Sequence, residues 1–218
     1  MPEDALPGRV RELWEELAGA RFPPDGGVRV VVSPGSRLCP PSWVGAVRIG
    51  DTVLITAPDE DTARRVPGDF EALRRAGDEV LGPATLGYLP PGGLRGTTSA
   101  SASPEAVRAL LDAVGDKDAA ESGLADTDSP VFATHDGHGI LAAAGYQLWP
   151  TAVAHLCVLT APEARGRGLA TEAAGAAVRH ALEAGLLPQW RARVGASRRV
   201  AGKLGFREVG EQVSVRLE

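Results

Sequence analysis

The stretch Val158-Leu159-Thr160-Ala161-Pro162-Glu163-Ala164-Arg165-Gly166-Arg167-Gly168-Leu169-Ala170-Thr171 constrains this chain more than any other. An apolar run of strand character passes through a short turn, then two glycines framed by two arginines, and into a long Ala-rich helical stretch. Such a junction suits an anion. Unpaired N–H groups in the first turn of a helix, together with its dipole, favour phosphate oxygens. Gly166 and Gly168 have no Cβ to obstruct close approach. Arg165 and Arg167 add charge in a planar geometry matched to phosphate. Other anion motifs fit badly. A P-loop needs Gly-Lys-Ser/Thr, and this stretch has no lysine; a Rossmann fingerprint needs a third glycine where Thr171 stands. The plainer alternative is an Arg-flanked helix start on a solvated surface.

Composition narrows the class. The 218 residues suffice for one large domain or two small ones with a real core. A 44% hydrophobic and 23% charged composition is ordinary for a globular chain, and 27 glycines with 17 prolines predict many turns without reaching collagen-like or disordered levels. Apart from Lys117 and Lys203 the basic residues are arginines, a compositional bias that says little about function. A net charge of -5 argues against nucleic-acid binding through a general basic surface. No stretch is long and apolar enough to span a membrane, and charges from Glu3 to Glu16 are incompatible with the apolar core of a signal peptide. Cys39 and Cys157 cannot form a disulfide framework and lack metal-ligand spacing, so no metal is expected and a cytoplasmic location is.

Residues 5–20 predict an amphipathic helix with Val10, Leu13, Trp14 and Leu17 on one face. Val28–Val32 reads as a short buried strand. Trp43–Ile49 and Thr52–Thr56 read as strands around a Gly50-Asp51 turn, and Asp59–Ala76 as a helix. Residues 1–82 thus form an α/β extension with no recognisable chemistry. Pro90–Ser103, rich in Pro, Gly, Ser and Thr, is the best loop or linker. Beyond Pro83, Ala84–Leu89 is a strand, and a helix with Ser103 as N-cap and Pro104 at its first position runs to Val114. Strands follow at Val131–Thr134 and Gly139–Trp149, joined by Asp136-Gly137, and at Ala152–Thr160. A helix over Gly166–Ala184 ends at Gly185. Gln189–Val194 is a strand, Ser197–Leu204 a helix ended by Gly205, and Phe206–Leu217 one or two strands. No internal repeat is visible.

Arg165-x-x-Gly168-x-Ala170, after a strand and opening a helix, resembles the acyl-CoA signature of GCN5-related N-acetyltransferases (GNAT). Ser197-Arg198-Arg199-Val200-Ala201-Gly202-Lys203-Leu204-Gly205-Phe206 resembles the second motif of that family, which closes on a Gly-Phe pair. The resemblance covers about residues 83–218. It implies an α/β fold with a mixed, mostly antiparallel central sheet flanked by helices. It also implies acetyl-CoA as co-substrate, bound by Val158, Leu159, Thr160, Arg165, Gly166, Arg167, Gly168, Leu169, Ala170, Thr171 and Ser197.

The reaction so implied is direct acyl transfer from CoA to a small-molecule or peptide amine. An alkyl amine with a pKa near 10 is about one part in a thousand neutral at pH 7, a handicap of about 4 kcal/mol, so a general base is useful. His155, on the strand before the cofactor loop, is the candidate base, against the alternative of a strand-face histidine bonded to backbone. A strand N–H near Val158 is the family-type oxyanion donor. Trp190 and Arg191 either line the acceptor pocket or simply alternate across their strand. Glu172, His135 and His138 read as surface residues, and Cys157 as a buried thiol rather than a nucleophile. The family often has Asn where Val194 stands and a thiolate-protonating Tyr where Ala201 stands. Tyr146 and Tyr88 are the available substitutes. The loss leaves a second reading, a catalytically weak acyl-CoA-binding or regulatory module. The sequence specifies neither the acceptor nor the oligomeric state, for which a homodimer is one option.

Overall fold

The computed structural model describes residues 5–94 and 100–217. In chain order these form α1 (Ala5–Ala18), β1 (Gly27–Val32), β2 (Val44–Ile49), β3 (Thr52–Ala57), α2 (Glu60–Arg65), α3 (Phe70–Ala76) and β4 (Glu79–Tyr88). There follow β5 (Ala100–Ser101), α4 (Pro104–Val114), α5 (Asp116–Ser122), β6 (Phe132–His135), β7 (Ile140–Trp149) and β8 (Val153–Thr160). The last elements are α6 (Leu169–Glu183), β9 (Leu187–Ala192), α7 (Gly195–Leu204) and β10 (Arg207–Arg216). The expected linker Pro90–Ser103 falls partly on residues 95–99, outside the described residues. The chain is α/β with a mixed, open sheet architecture flanked by helices.

Two compact units are present. One takes in the described residues up to Gly87, Ala192–Val194, and those from Glu208 onward; the other takes in the described part of Tyr88–Arg191 and Gly195–Arg207. In the first, the strands run β1-β3-β2-β10-β4. Gly50 and Asp51 turn β2 into β3 as the sequence predicts, and β10 pairs antiparallel with β2. The final strand of the chain therefore completes the sheet begun by the first residues. Val44, Ala46, Val53, Ile55, Val213 and Val215 pack with Phe70 and Leu73 of α3. Val10, Leu13, Trp14 and Leu17 of α1 are buried, as their helical spacing requires.

Two expectations for this unit are corrected. The strand expected to be buried, β1, pairs in parallel with β3 and is largely exposed, with Val28 at 40% and Val32 at 39%. An apolar run has the same composition at an edge as at a centre, so its pattern cannot report which it is. The helix expected over Asp59–Ala76 is two helices. Pro67 lacks the N–H a continuous helix would use, and the backbone at Val66 is extended. Asp59 caps α2 by accepting from the Thr62 N–H (2.7 Å), and Asp69 caps α3 by accepting from the Ala72 N–H (2.8 Å).

In the second unit the strands run β9-β8-β7-β6-β5, with β8 and β9 parallel and the β8-β7, β7-β6 and β6-β5 pairs antiparallel. Ala133, Leu141, Ala143, Cys157 and Leu159 point to one face, where Val107 and Leu110 of α4 cover them. Alternation sends Ala142, Ala144 and Tyr146 to the other face, where Tyr146 meets His180 of α6. Ala173, Ala174, Ala176 and Ala177 make α6 a small-residue helix that packs closely on the sheet. Ser103 caps α4, its Oγ accepting from the Ala106 N–H (3.3 Å), as expected. The turn between β6 and β7 is held by Asp136, which accepts from the N–H groups of His138 and Gly139.

Candidate functional site

The site is built where β8 parts from β9. The antiparallel ladder between β8 and β7 continues to Ala142↔Thr160. The parallel ladder between β8 and β9 stops at His155↔Gln189, although β8 continues to Thr160 and β9 to Ala192. A strand presents its N–H and C=O groups alternately to its two neighbours. Beyond His155, the groups on the β9 side therefore have no β9 partner, which opens a slot for an extended ligand. Val158 and Thr160 are half-buried along this run, and Leu159 turns into the core.

At the end of β8 the chain makes a 3-10 turn, Pro162–Ala164, and reaches α6 through Arg165–Gly168. Gly166 and Gly168 have φ of 78° and 87°, left-handed values that a side chain makes costly. No atom lies within 4 Å of the position a Cβ would take at either glycine, so the space above both is open. The α6 N-cap is Gly168, with no side-chain capping bond, which leaves first-turn N–H groups available to an external acceptor. Leu169, Ala170 and Thr171 are partly buried, and the Thr171 hydroxyl is shielded from solvent without a hydrogen-bond partner.

The two arginines of this turn differ. Arg167 is exposed. Arg165 turns to α5, where its Nη2 lies 2.6 Å from Asp118 Oδ2, and its Nε donates to the Thr160 carbonyl (3.4 Å). Arginine 165 is thus shared between its own loop and a helix the sequence did not reveal. Both partners are about half exposed, so the pair contributes about 1 kcal/mol or less, and an anion can compete for the guanidinium.

His155 lies on β8 with its ring stacked on Trp149 of β7, centroids 4.1 Å apart and planes within 18°. Its Nδ1 is 2.5 Å from Oε1 of Gln189, a residue of zero exposure on β9. Burial, reinforced by the positive charge of Arg191 and opposed by the Gln189 bond, pushes the imidazolium pKa down from 6.5 to about 4. At neutral pH the ring is uncharged.

Alternation along β9 separates the two residues named for acceptor contact. Trp190 is 4% exposed, its indole N–H donates to Ser197 Oγ (2.9 Å), and its ring meets Phe206 edge-on at 5.5 Å. It supports α7 from within, and it engages the Ser197 hydroxyl. Arg191 is exposed, its guanidinium 6.0 Å from the centroid of the Trp149 ring and close enough to act on His155. The thiol of Cys157 is buried and pushed up to about 12 by desolvation, which removes it as a nucleophile. Glu172, His135 and His138 are exposed. Ala201 is 7% exposed on α7, Tyr146 bonds His180 Nδ1 on the α6 face (2.9 Å), and Tyr88 is fully buried. The Tyr146 hydroxyl is therefore committed away from the β8–β9 slot.

Sequence reasoning overlooked Gln189, Trp149 and Asp118. Gln189 and Trp149 are separated from His155 by strand register, and Asp118 from Arg165 by the packing of α5, so no local spacing marked them.

Residues 131–213 match the model of the GNAT acetyltransferase family, so the likeness read from the cofactor-loop motifs is shown over that segment. Solved structures sharing the fold include an acetyltransferase from the GNAT family from Colwellia psychrerythraea, 16% identical with a TM-score of 0.53, covering 80% of this chain and 65% of that one. Another is a GCN5-related N-acetyltransferase from Kribbella flavida, 21% identical with a TM-score of 0.51, covering 68% of this chain and 63% of that one. This chain thus spans less than two thirds of the length of either. No curated protein matches it.

Proposed function

We propose that the segment around β8 and α6 makes this protein an N-acetyltransferase, passing an acetyl group from acetyl-CoA directly to the amine of an acceptor. The observation that carries the reading is the continuity of two features: a slot where β8 parts from β9 after His155↔Gln189, and the uncapped α6 start at Gly168. A pantetheine arm is extended and needs backbone partners; a diphosphate needs N–H groups and charge. The residues fit such a ligand. The space above Gly166 and Gly168 is open, and the Thr171 hydroxyl lacks a partner. Arg165, Gly166, Arg167, Gly168, Leu169, Ala170 and Thr171 would hold the diphosphate. Val158, Leu159 and Thr160 would run beside the pantetheine, with Ser197 on the facing helix. Bound acetyl-CoA supplies the thioester carbonyl that the amine attacks.

The chemistry left to the protein is proton management. An ammonium of pKa about 10 is a weaker acid than an imidazolium of pKa about 4 by roughly six orders of magnitude, so proton transfer from it to the ring is uphill by about 8 kcal/mol. His155 is therefore unsuited to stripping a free ammonium. It is suited to taking the proton once the nitrogen has begun to bond carbon, when that proton has become far more acidic. The acceptor must then enter neutral, and the positive charge of Arg191 beside the ring disfavours the ammonium form.

A second reading is supported by one feature. Ala201 stands where the family often has Tyr, and the Tyr146 hydroxyl is engaged by His180, so a binding module with little turnover is the alternative.

Calorimetric titration of acetyl-CoA into the wild type and into an Arg165→Ala/Arg167→Ala double variant tests the proposal. Saturable binding that weakens at least tenfold in the variant supports it, and no binding to the wild type overturns it. Assay of acetylated product over a panel of amines then separates enzyme from binding module.

A further inference from the structure

We infer that Gln189 is a positioning residue for His155: its carboxamide oxygen holds the imidazole as the Nδ1–H tautomer and so makes Nε2 the ring's basic nitrogen. This inference rests on the proposed function only in giving His155 a proton to accept.

The geometry has three parts. Gln189 is the last β9 residue paired with β8, directly opposite His155, so the carboxamide and the ring meet by register rather than by a flexible reach. Nδ1 and Oε1 lie within hydrogen-bonding distance (2.5 Å), and an amide oxygen can only accept, so Nδ1 carries the proton. Trp149 stacks on the ring and fixes its plane. A neutral imidazole has one N–H and one lone pair, so fixing the first at Nδ1 leaves the second at Nε2.

The other end of the same carboxamide makes no bond. Gln189 Nε2 is buried and has no hydrogen-bond partner. An unsatisfied buried donor costs stability, and an apolar side chain of similar volume would avoid that cost. What the amide provides in return is the single bond to His155. Because Nε2 is sealed from solvent, it does not present itself to a ligand in this conformation.

The groups around His155 are few. Arg191 lies on β9 beside Gln189, and Trp149 is on β7. On β8, Cys157 donates through Sγ to the carbonyl of His155 itself (3.7 Å), and Asp126 and Asp128 act on that thiol. None of these replaces Gln189 as an acceptor for Nδ1–H among the bonds that the described residues show.

The test is ring 15N NMR on the full-length, unliganded protein labelled at histidine, with a His155→Asn variant to assign the signals. The expected result is a His155 ring protonated at Nδ1 and bare at Nε2 at about pH 7. Gln189→Leu should lose that preference, and Gln189→Glu should raise the pH of half-ionisation by at least one unit, carrying the acidic limb of any acetyl-transfer profile with it. A wild-type ring protonated at Nε2 overturns the inference, as does a Gln189→Glu variant whose His155 titrates unchanged. If Gln189→Leu fails to fold, the wild-type tautomer and the Gln189→Glu titration still decide. Failure of the acetyltransferase reading would show instead as absent acetyl-CoA binding, with the NMR result unaffected.

Discussion

Replacing His155 by Phe should remove a specific part of the protein's sensitivity to acid. The ring is neutral when folded because burial and Arg191 hold its pKa near 4, whereas its ordinary value is 6.5. Between those values the unfolded chain binds a proton that the folded chain refuses, so stability rises with pH and is lost as pH falls from 6.5 towards 4. Integrating that difference gives a loss of about 2 kcal/mol by pH 5 and about 3 kcal/mol by pH 4. Phe keeps an aromatic ring against Trp149 and leaves Gln189 Oε1 unpaired, a fixed cost at every pH. Asp59, Glu105 and Asp136, whose backbone hydrogen bonds lower their pKa values, lose stability on acidification in both proteins and cancel in the comparison. Urea unfolding of wild type and His155→Phe at about pH 7 and pH 5 measures the term directly. The wild type should lose about 2 kcal/mol more than the variant on going to the lower pH. Equal losses would refute the reasoning, because they would mean that the folded ring ionises as freely as an exposed one.

Asp118→Ala should leave stability within about 0.5 kcal/mol, since the pair it breaks is half exposed, and should tighten acetyl-CoA binding severalfold by releasing Arg165; unchanged or weaker affinity by calorimetry would argue that Arg165 does not meet the diphosphate. Gly168→Ala places a Cβ at a φ of 87° and should cost about 1 kcal/mol in urea unfolding while weakening that binding; a neutral effect on both would show the left-handed conformation to be dispensable. Ser103→Ala removes the α4 cap and should cost about 1 kcal/mol without altering binding, which the same two assays check. Gly205→Ala should destabilise by about 2 kcal/mol or more, because its Cβ would fall 2.1 Å from the Gly93 carbonyl oxygen at a φ of 100°; a stable variant would show that this close approach can relax.

Local chemistry settled much of this protein in advance. The apolar spacing of Val10, Leu13, Trp14 and Leu17, the Ser103-Pro104 start, the Asp136-Gly137 turn and the strand–Gly/Arg–helix junction at Thr160–Thr171 each act within a few residues. Their signals survive in a linear string, and with them the α/β class and the glycine-bearing start of α6. Where the string failed, the deciding contact lay far off. Whether β1 is a buried or an edge strand depends on what lies beyond it, not on its valines. That β10 joins β2 depends on a pairing between chain segments more than 160 residues apart, as in the contact of Arg48 with Glu211. His155 was visible as a candidate base because it stands on the strand that leads into the glycine–arginine loop, where the family resemblance places one. Its partners were not. Gln189 reaches it only because β8 and β9 are parallel in one register, and Trp149 only because β7 is antiparallel in another. Tertiary register, by choosing those neighbours and shielding the ring among them, decided its pKa, and residue identity alone does not encode that.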